Sequence, residues 1–545
     1  MNRTQSLLLL IVFSLLVLVP GMTRIPILDR DSALFAQASK QIVETNDPWR
    51  IQVQDKPRQK KPPGIYWLQA TSAKLFSPQH LNIAWPYRLP SLLCALFAVL
   101  MTYAFAKNYF SSRTAFTAAL FLASSILMIA EAHMATTDAA LLATIVLMQG
   151  SLWRLYQPPH ENQSNSLWIM SFWLAMALGI FIKGIAPIFA VLTILSLCIW
   201  DRSLRCLKVI KPILGLTFLI AFNIAWVAAF YHATHSNFIL NMLRSDFLPK
   251  LSHGMESHGA PPGYYFVLLP LTLWPGILFF WQGAINAWQQ RQQLALRFCL
   301  AWIIPAWLVF ELAPTKLPHY TLPLYPPIVI LLAHAIETFD LNSCPRWGKF
   351  LIALQTGVWT LVSFTLIGIT VLLPFYLTRQ FSLPLTMISS ILIVLIGVVL
   401  QYKQDKPYRS VAVMALCSFL LLAPTLQFTL PRIHSLWITD KIVTTLQTKA
   451  ANAVSDRRPL ITTDYNEVSL IFELGTHKVE YRPLPMALDK IDKRHQQIYL
   501  VAKQQLEPFK TYLDQQQINW QKIATISGFY YTKGKWISLI LLRIG

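Results

Sequence analysis

The apolar residues of this chain fall in blocks of about 20, the length of helix needed to cross a hydrocarbon core. Thirteen such blocks can be marked, at residues 6–22, 87–106, 114–130, 138–156, 167–182, 185–200, 210–231, 264–282, 297–311, 320–337, 350–375, 384–402 and 409–430. Inside lipid a backbone must satisfy its own polar groups, so a chain with this pattern folds as a bundle of spanning helices. The expected fold is therefore an all-α polytopic membrane domain of about 13 transmembrane helices. Only 13% of the residues are charged, about half the share in soluble domains. The net charge of +21 would point to nucleic acid in a soluble protein. Here Lys and Arg sit mostly in short loops between apolar blocks, which is the signature of cytoplasmic loops, and nucleic-acid binding is excluded.

Charge bias also sets sidedness. The first block lacks a small-x-small cleavage site at Val19-Pro20-Gly21-Met22 and reads as an uncleaved span with the N-terminus in the cytoplasm. Alternate loops then carry Lys107 and Arg113, Arg154, the cluster Arg202 to Lys211, Arg291 and Arg297, Arg346 and Lys349, and Lys403 to Arg409. The short outer loops carry only Lys183, Lys316 and Arg379. One register is ambiguous, because the fifth and sixth blocks are separated only by Lys183-Gly184. One long helix there would invert every later loop.

Three stretches are too polar to span. Residues 23–85 and 232–263 are expected as long outer loops on a membrane domain of residues 1–430, and residues 431–545 as a soluble tail on the same outer side. Within the first loop, Leu34, Phe35, Ala38 and Ile42 have the spacing of an amphipathic helix lying at the interface. The tail alternates helix and strand signals, as a small α/β domain does. It has no phosphate loop and no nucleophile elbow, so it is expected to support the membrane domain or dock an acceptor. The six cysteines all fall in spans or cytoplasmic loops, which leaves no disulfide framework and no cysteine metal site.

Ionisable groups costly to place in a membrane gather on the outer side: Asp31, Lys60, Lys61, Glu131, His133, Asp138, Lys183, Lys316 and His319, with Tyr320 beside the last. Such groups mark function by default. Each has a plain structural reading as well. Lys60 and Lys61 have the placement of snorkelling lysines, Asp31 and Asp138 stand where helix caps stand, Lys183 stands at a span end, and a lone His319 is more often a satisfied histidine than a ligand. Glu256 and His258 form a weak metal pair without a third ligand. Taken together, the cations suit a lipid-linked phosphate at the interface, which is also the leaving group when a sugar departs. An Asp nearby orients or deprotonates an acceptor hydroxyl.

In order along the chain, Asp31 with Phe35-Ala36-Gln37, Lys61-Pro62, Thr137-Asp138, Lys183-Gly184 and Lys316-Leu317-Pro318-His319-Tyr320 resemble the aminoarabinose transferase (ArnT-like) branch of the GT-C glycosyltransferases, related to the protein O-mannosyltransferases. The resemblance covers nearly the whole chain. It implies an inverting transfer of a sugar from an undecaprenyl-phosphate donor to an envelope acceptor such as lipid A, at the periplasmic face of a bacterial inner membrane. It implies Asp31 and Asp138 as catalytic acids, and Lys61, Lys316 and Tyr320 as contacts to the carrier phosphate. Lys183 and His319 join that phosphate-binding set. The sequence departs from the pattern at Leu34, where the family has Arg, and at Lys60, where it has Glu. Arg30 or Arg58 is then expected to replace the missing phosphate contact, and loss of the Glu removes a possible metal ligand, so no cofactor is expected. Two other functions fit a charged site beside lipid: a transporter or flippase for a lipid-linked sugar, and a protein O-glycosyltransferase or a ligase that joins polysaccharide to a lipid or protein.

Overall fold

The computed structural model describes residues 2–157, 165–244, 259–378, 382–451, 453–491 and 495–545. Among these are eight helices long and apolar enough to cross a membrane, from Trp85–Ala106 to Pro407–Arg432. Two further helix pairs pass only as bent units: Ser112–Ser124 with Ile126–Ala132 at 60°, and Tyr264–Thr272 with Gly276–Gln289 at 115°. Three of the expected spans are shorter apolar helices, Arg3–Leu18, Ser166–Ile182 and Ala186–Asp201. The protein is a multi-pass membrane protein.

Local chemistry sets the ends of these helices. Asn2 and Gln5 form a reciprocal capping box on the first helix, satisfying two N–H groups that helix geometry leaves open. The ambiguous hairpin is a true break. Helix Ser166–Ile182 ends at Lys183, and Gly184 follows at φ +82°, a backbone that glycine adopts without strain. Ser125 takes extended backbone between the two halves of the 60° bend, which turns the following residues toward Glu131.

The first outer loop is less a lipid-surface element than expected. Its helix, Asp31–Thr45, buries Phe35, Ala36, Gln37, Ala38, Ser39 and Lys40, because the tail covers it. Lys40 Nζ donates to the Phe472 carbonyl at 2.7 Å, and Gln37 Nε2 to Thr476 Oγ1 at 2.8 Å. A two-stranded hairpin follows, with β1 (Gln52–Val53) antiparallel to β2 (Lys56–Pro57).

The tail folds around a five-stranded mixed sheet. Its strands are β3 (Leu460–Thr462), β4 (Val479–Tyr481), β5 (Gln497–Ala502), β6 (Trp520–Tyr530) and β7 (Lys535–Ile544), in the order β4-β3-β5-β7-β6. β3 is parallel to both neighbours, while β5, β7 and β6 are antiparallel. Helices Ile438–Lys449 and Val468–Leu474 contribute to the core on one face of the sheet, and Leu506–Gln515 to the core on the other. Helix Val468–Leu474 also carries Phe472, packed edge-on against Tyr87 at 5.3 Å, which seats the tail on the membrane domain.

Candidate active site

Asp31 opens its helix just after a strained N-cap, Arg30 at φ +63°. Two interactions fix where that opening sits. Arg88, fully buried near the start of helix Trp85–Ala106, donates to the carbonyls of Met22, Ile25 and Pro26 at 3.0, 2.7 and 2.6 Å. It thereby pins the chain that leads into Asp31. Ser32 Oγ accepts from the Ala135 N–H at 3.1 Å, which locks the same corner to the turn carrying Glu131 and Asp138. Sequence reading did not single out Arg88, although an arginine inside an apolar run was the available signal.

The result is one cavity of about 750 Å³. Asp31, Arg58, Lys61, Asp138, Lys183, His319 and Tyr320 all line it, although they come from five separate stretches of the chain. Lys183 Nζ is 2.5 Å from Asp138 Oδ1, with both side chains 8% exposed. The His319 ring stands between two acids, 3.6 Å from Glu131 Oε1 and 3.8 Å from Asp138 Oδ1. Lys61 bears electrostatically on Asp138, and Asp31 on Glu131. Lys183 also lies 5.3 Å from the centre of the Tyr320 ring, a cation–π contact that holds the ammonium in place. Asp31 is the open acid of the group. Its side chain is 64% exposed, with Arg58 Nη2 at 3.7 Å, and Arg58 in turn lies over the Phe35 ring at 5.2 Å.

Some sequence-predicted residues fall elsewhere. Lys316 does not line the cavity; it is 3% exposed and its Nζ donates to the Ala313 carbonyl at 2.6 Å. The turn Thr315–Leu317 reaches the cavity through its neighbours while the lysine points away. His133 is a bracket, bonded to the carbonyls of Ile129 and Pro20 at 2.7 and 2.8 Å. Glu256 and His258 lie outside the described residues.

The tail supplies the roof. Asp464, Asn466, Glu467, Tyr481, Tyr530 and Lys533 line the same cavity. Arg30 donates to the Thr532 carbonyl, Tyr531 donates to Asp29 Oδ2 at 3.0 Å, and Thr532 to Glu467 Oε1 at 2.7 Å. Burial, and then the nearby Glu467, push the Asp29 carboxyl up to about 7. The first two of these contacts join residues 502 positions apart, which no local pattern encodes.

One group has the make-up of a metal site: single atoms of Glu131, Asp138 and His319 lie within 4.8 Å of one another. A divalent ion there would have to displace the Lys183 ammonium, which already neutralises Asp138.

Residues 60–228 match the family described as dolichyl-phosphate-mannose-protein mannosyltransferase. The chain is 27% identical over 433 residues to the undecaprenyl phosphate-alpha-4-amino-4-deoxy-L-arabinose arabinosyl transferase 1 of Pseudomonas fluorescens, covering 78% of this chain and 76% of that one. It is 25% identical over 344 residues to the corresponding transferase of Pseudomonas paraeruginosa, covering 62% of this chain and 60% of the relative. The fold superposes on crystalline ArnT from Cupriavidus metallidurans bound to undecaprenyl phosphate with a TM-score of 0.78 at 16% identity, over 99% of this chain and 98% of that one. In sequence and in fold together, this protein is ArnT-like, a multi-pass membrane protein with the GT-C architecture.

Proposed function

We propose that this protein transfers a sugar from an undecaprenyl-phosphate donor to an anionic lipid acceptor of the lipid A kind, with inversion at the anomeric carbon. The observation that carries the reading is the single cavity in which Asp31 faces Lys61, Lys183, His319 and Tyr320. On this reading the N-terminus is cytoplasmic and the cavity and tail are periplasmic, at a bacterial inner membrane. The names of the relatives make a 4-amino-4-deoxy-pentose the first sugar to test.

The chemistry follows from charge. The bond between the anomeric carbon and the phosphate oxygen breaks, and its electron pair leaves on the phosphate. Lys61 and Arg58 hold that growing charge, with Tyr320 and His319 alongside. Preset donors at such a position are worth about 3–4 kcal/mol each. The acceptor oxygen attacks from the opposite face. Where the acceptor is a hydroxyl, Asp31 takes its proton; where it is an ionised phosphate, no proton moves and Asp31 orients the attack. Asp138 is already ion-paired to Lys183, so its part is to position that lysine and His319.

The test is transfer of labelled sugar from undecaprenyl phosphate-4-amino-4-deoxy-arabinose to lipid A in detergent, where a flippase has no second compartment to act on. Wild-type protein is expected to form product and Asp31→Asn to form none while inserting and folding normally. Undiminished transfer by that variant, or no product from the wild type, would overturn the proposal.

A further inference from the structure

We propose that a basic pocket beside the catalytic cavity, formed by Lys60 and Arg244, binds the phosphate monoester of the lipid acceptor. The proposal rests on the glycosyl-transfer reading above and supplies its missing acceptor site. The pocket has a volume of about 360 Å³ and is lined by Pro57, Gln59, Lys60, Asn241 and Arg244. Its described lining thus holds two cations and two amides, and no acid. Lys60 lines this pocket and the catalytic cavity alike, so an anion bound here sits at the doorway to Asp31.

The pocket is built rather than incidental. Gln59 Oε1 accepts from Ser236 Oγ at 2.9 Å and from Asn241 Nδ2 at 2.6 Å, and Asn241 also donates to Ser236 Oγ at 3.1 Å. This network stitches the loop that carries Lys60 and Lys61 to the helical turn that carries Arg244. A guanidinium beside an ammonium favours a doubly charged phosphate monoester over a singly charged diester, and the guanidinium can grip it with two parallel bonds.

A second feature identifies the ligand as a lipid. Ser236, the hub of the network, also lines a largely apolar pocket of about 500 Å³ with Ile224, Val227, Phe238 and Ile239. That pocket lies at the end of helix Pro212–Thr234, whose apolar stretch is only 17% buried in the protein and therefore faces lipid. Apolar pocket, amide hub, basic pocket and cavity are linked in that order: Ser236 of the apolar pocket is bonded to Gln59 and Asn241 of the basic pocket, and Lys60 lines the basic pocket and the cavity alike. An acceptor following this order keeps its acyl chains in the bilayer while its phosphate passes from Ser236 to Lys60.

The test measures binding of purified full-length protein in micelles to lipid A and, separately, to undecaprenyl phosphate. Arg244→Glu is expected to weaken lipid A binding about tenfold or more, a loss of about 1.4 kcal/mol or more. Its affinity for undecaprenyl phosphate stays within about twofold. Lys60→Ala weakens lipid A binding in the same sense. Dephosphorylated lipid A is expected to bind wild type as weakly as lipid A binds Arg244→Glu, and millimolar inorganic phosphate to compete poorly. Unchanged lipid A binding by Arg244→Glu, or an equal loss of undecaprenyl phosphate binding, overturns the proposal. Displacement of lipid A by inorganic phosphate at its own affinity would assign the pocket to free phosphate and overturn the lipid assignment. These are binding measurements, so they stand apart from any failure of sugar transfer in the wild type.

Discussion

The ammonium of Lys183 and the carboxylate of Asp138 lie 2.5 Å apart, and both side chains are 8% exposed. Each neutralises the other in a setting where a lone charge is costly. Removing one partner of a buried pair costs about 3–5 kcal/mol, while replacing both by apolar groups is often close to neutral. Lys183→Ala and Asp138→Ala should therefore each lower thermal stability in detergent and abolish transfer. The double variant should recover most of the stability and none of the transfer. Recovered activity in the double variant would remove the pair from the chemistry.

This pair also shows what could be read from the sequence. Asp138 and Lys183 were both visible as ionisable groups at span ends, and sidedness put them on one face. Their contact was not visible, because 45 residues and the length of two helices separate them. The same limit explains Lys316: the motif marked the turn, but side-chain direction depends on how the helix restarts at Pro318. The mixed helix and strand character of the tail was legible in its alternating signals. Its place as the roof was not, since it depends on pairs such as Asp29 with Tyr531, 502 positions apart.

That seam should respond to pH. Asp29 rises from an ordinary 3.8 to about 7, through burial first and Glu467 second. Glu473, in the docking helix of the tail, rises to about 8 through burial, Asp440 and Asp29. For an acid whose folded value is raised, the folded state holds the extra proton, so stability falls as pH climbs from the unfolded value to the folded one. Tail docking should weaken between about pH 4 and pH 7, with the Glu473 contribution continuing to about pH 8. Asp29→Asn keeps an oxygen to accept from Tyr531 and should flatten the lower part of this slope. The check is protease sensitivity of the segment before Ile438 in wild type and variant at pH 5, 6.5 and 8. Identical slopes would rule Asp29 out as the sensor.

Lys61 and Lys316 should part company on mutation. Lys61 lines the cavity, whereas the Lys316 ammonium is bound to Ala313. Lys61→Ala is expected to lower kcat/KM for the donor about 100-fold or more, the scale of one lost charge-stabilising donor. Lys316→Met should lower stability by about 1–3 kcal/mol, as a buried carbonyl loses its partner. It should leave the donor KM within about threefold. A donor KM that rises for Lys316→Met as much as for Lys61→Ala would return Lys316 to the phosphate site.

The spacing of the two lysine corners rests on Gly64. It begins helix Gly64–Phe76, directly after Lys60-Lys61-Pro62-Pro63, and it packs on the end of the helix that carries Lys183. A Cβ at this position would stand 2.6 Å from the Phe181 carbonyl oxygen and 2.7 Å from the Phe181 ring, against the 3.4 Å at which ordinary contact begins. The oxygen is main chain and cannot rotate away, so Gly64→Ala must push the two corners apart by most of an ångström. A displacement of about 1 Å at a catalytic constellation can cost about 100-fold in rate. Transfer by Gly64→Ala should therefore drop by one to two orders of magnitude, with kcat affected more than binding of undecaprenyl phosphate and with the tail still docked. Gly184 is the control. A Cβ there meets nothing within 4 Å, so Gly184→Ala carries only the cost of its positive φ. If Gly64→Ala and Gly184→Ala lose activity to the same extent, the close packing of the two corners is not what sets the geometry of the site.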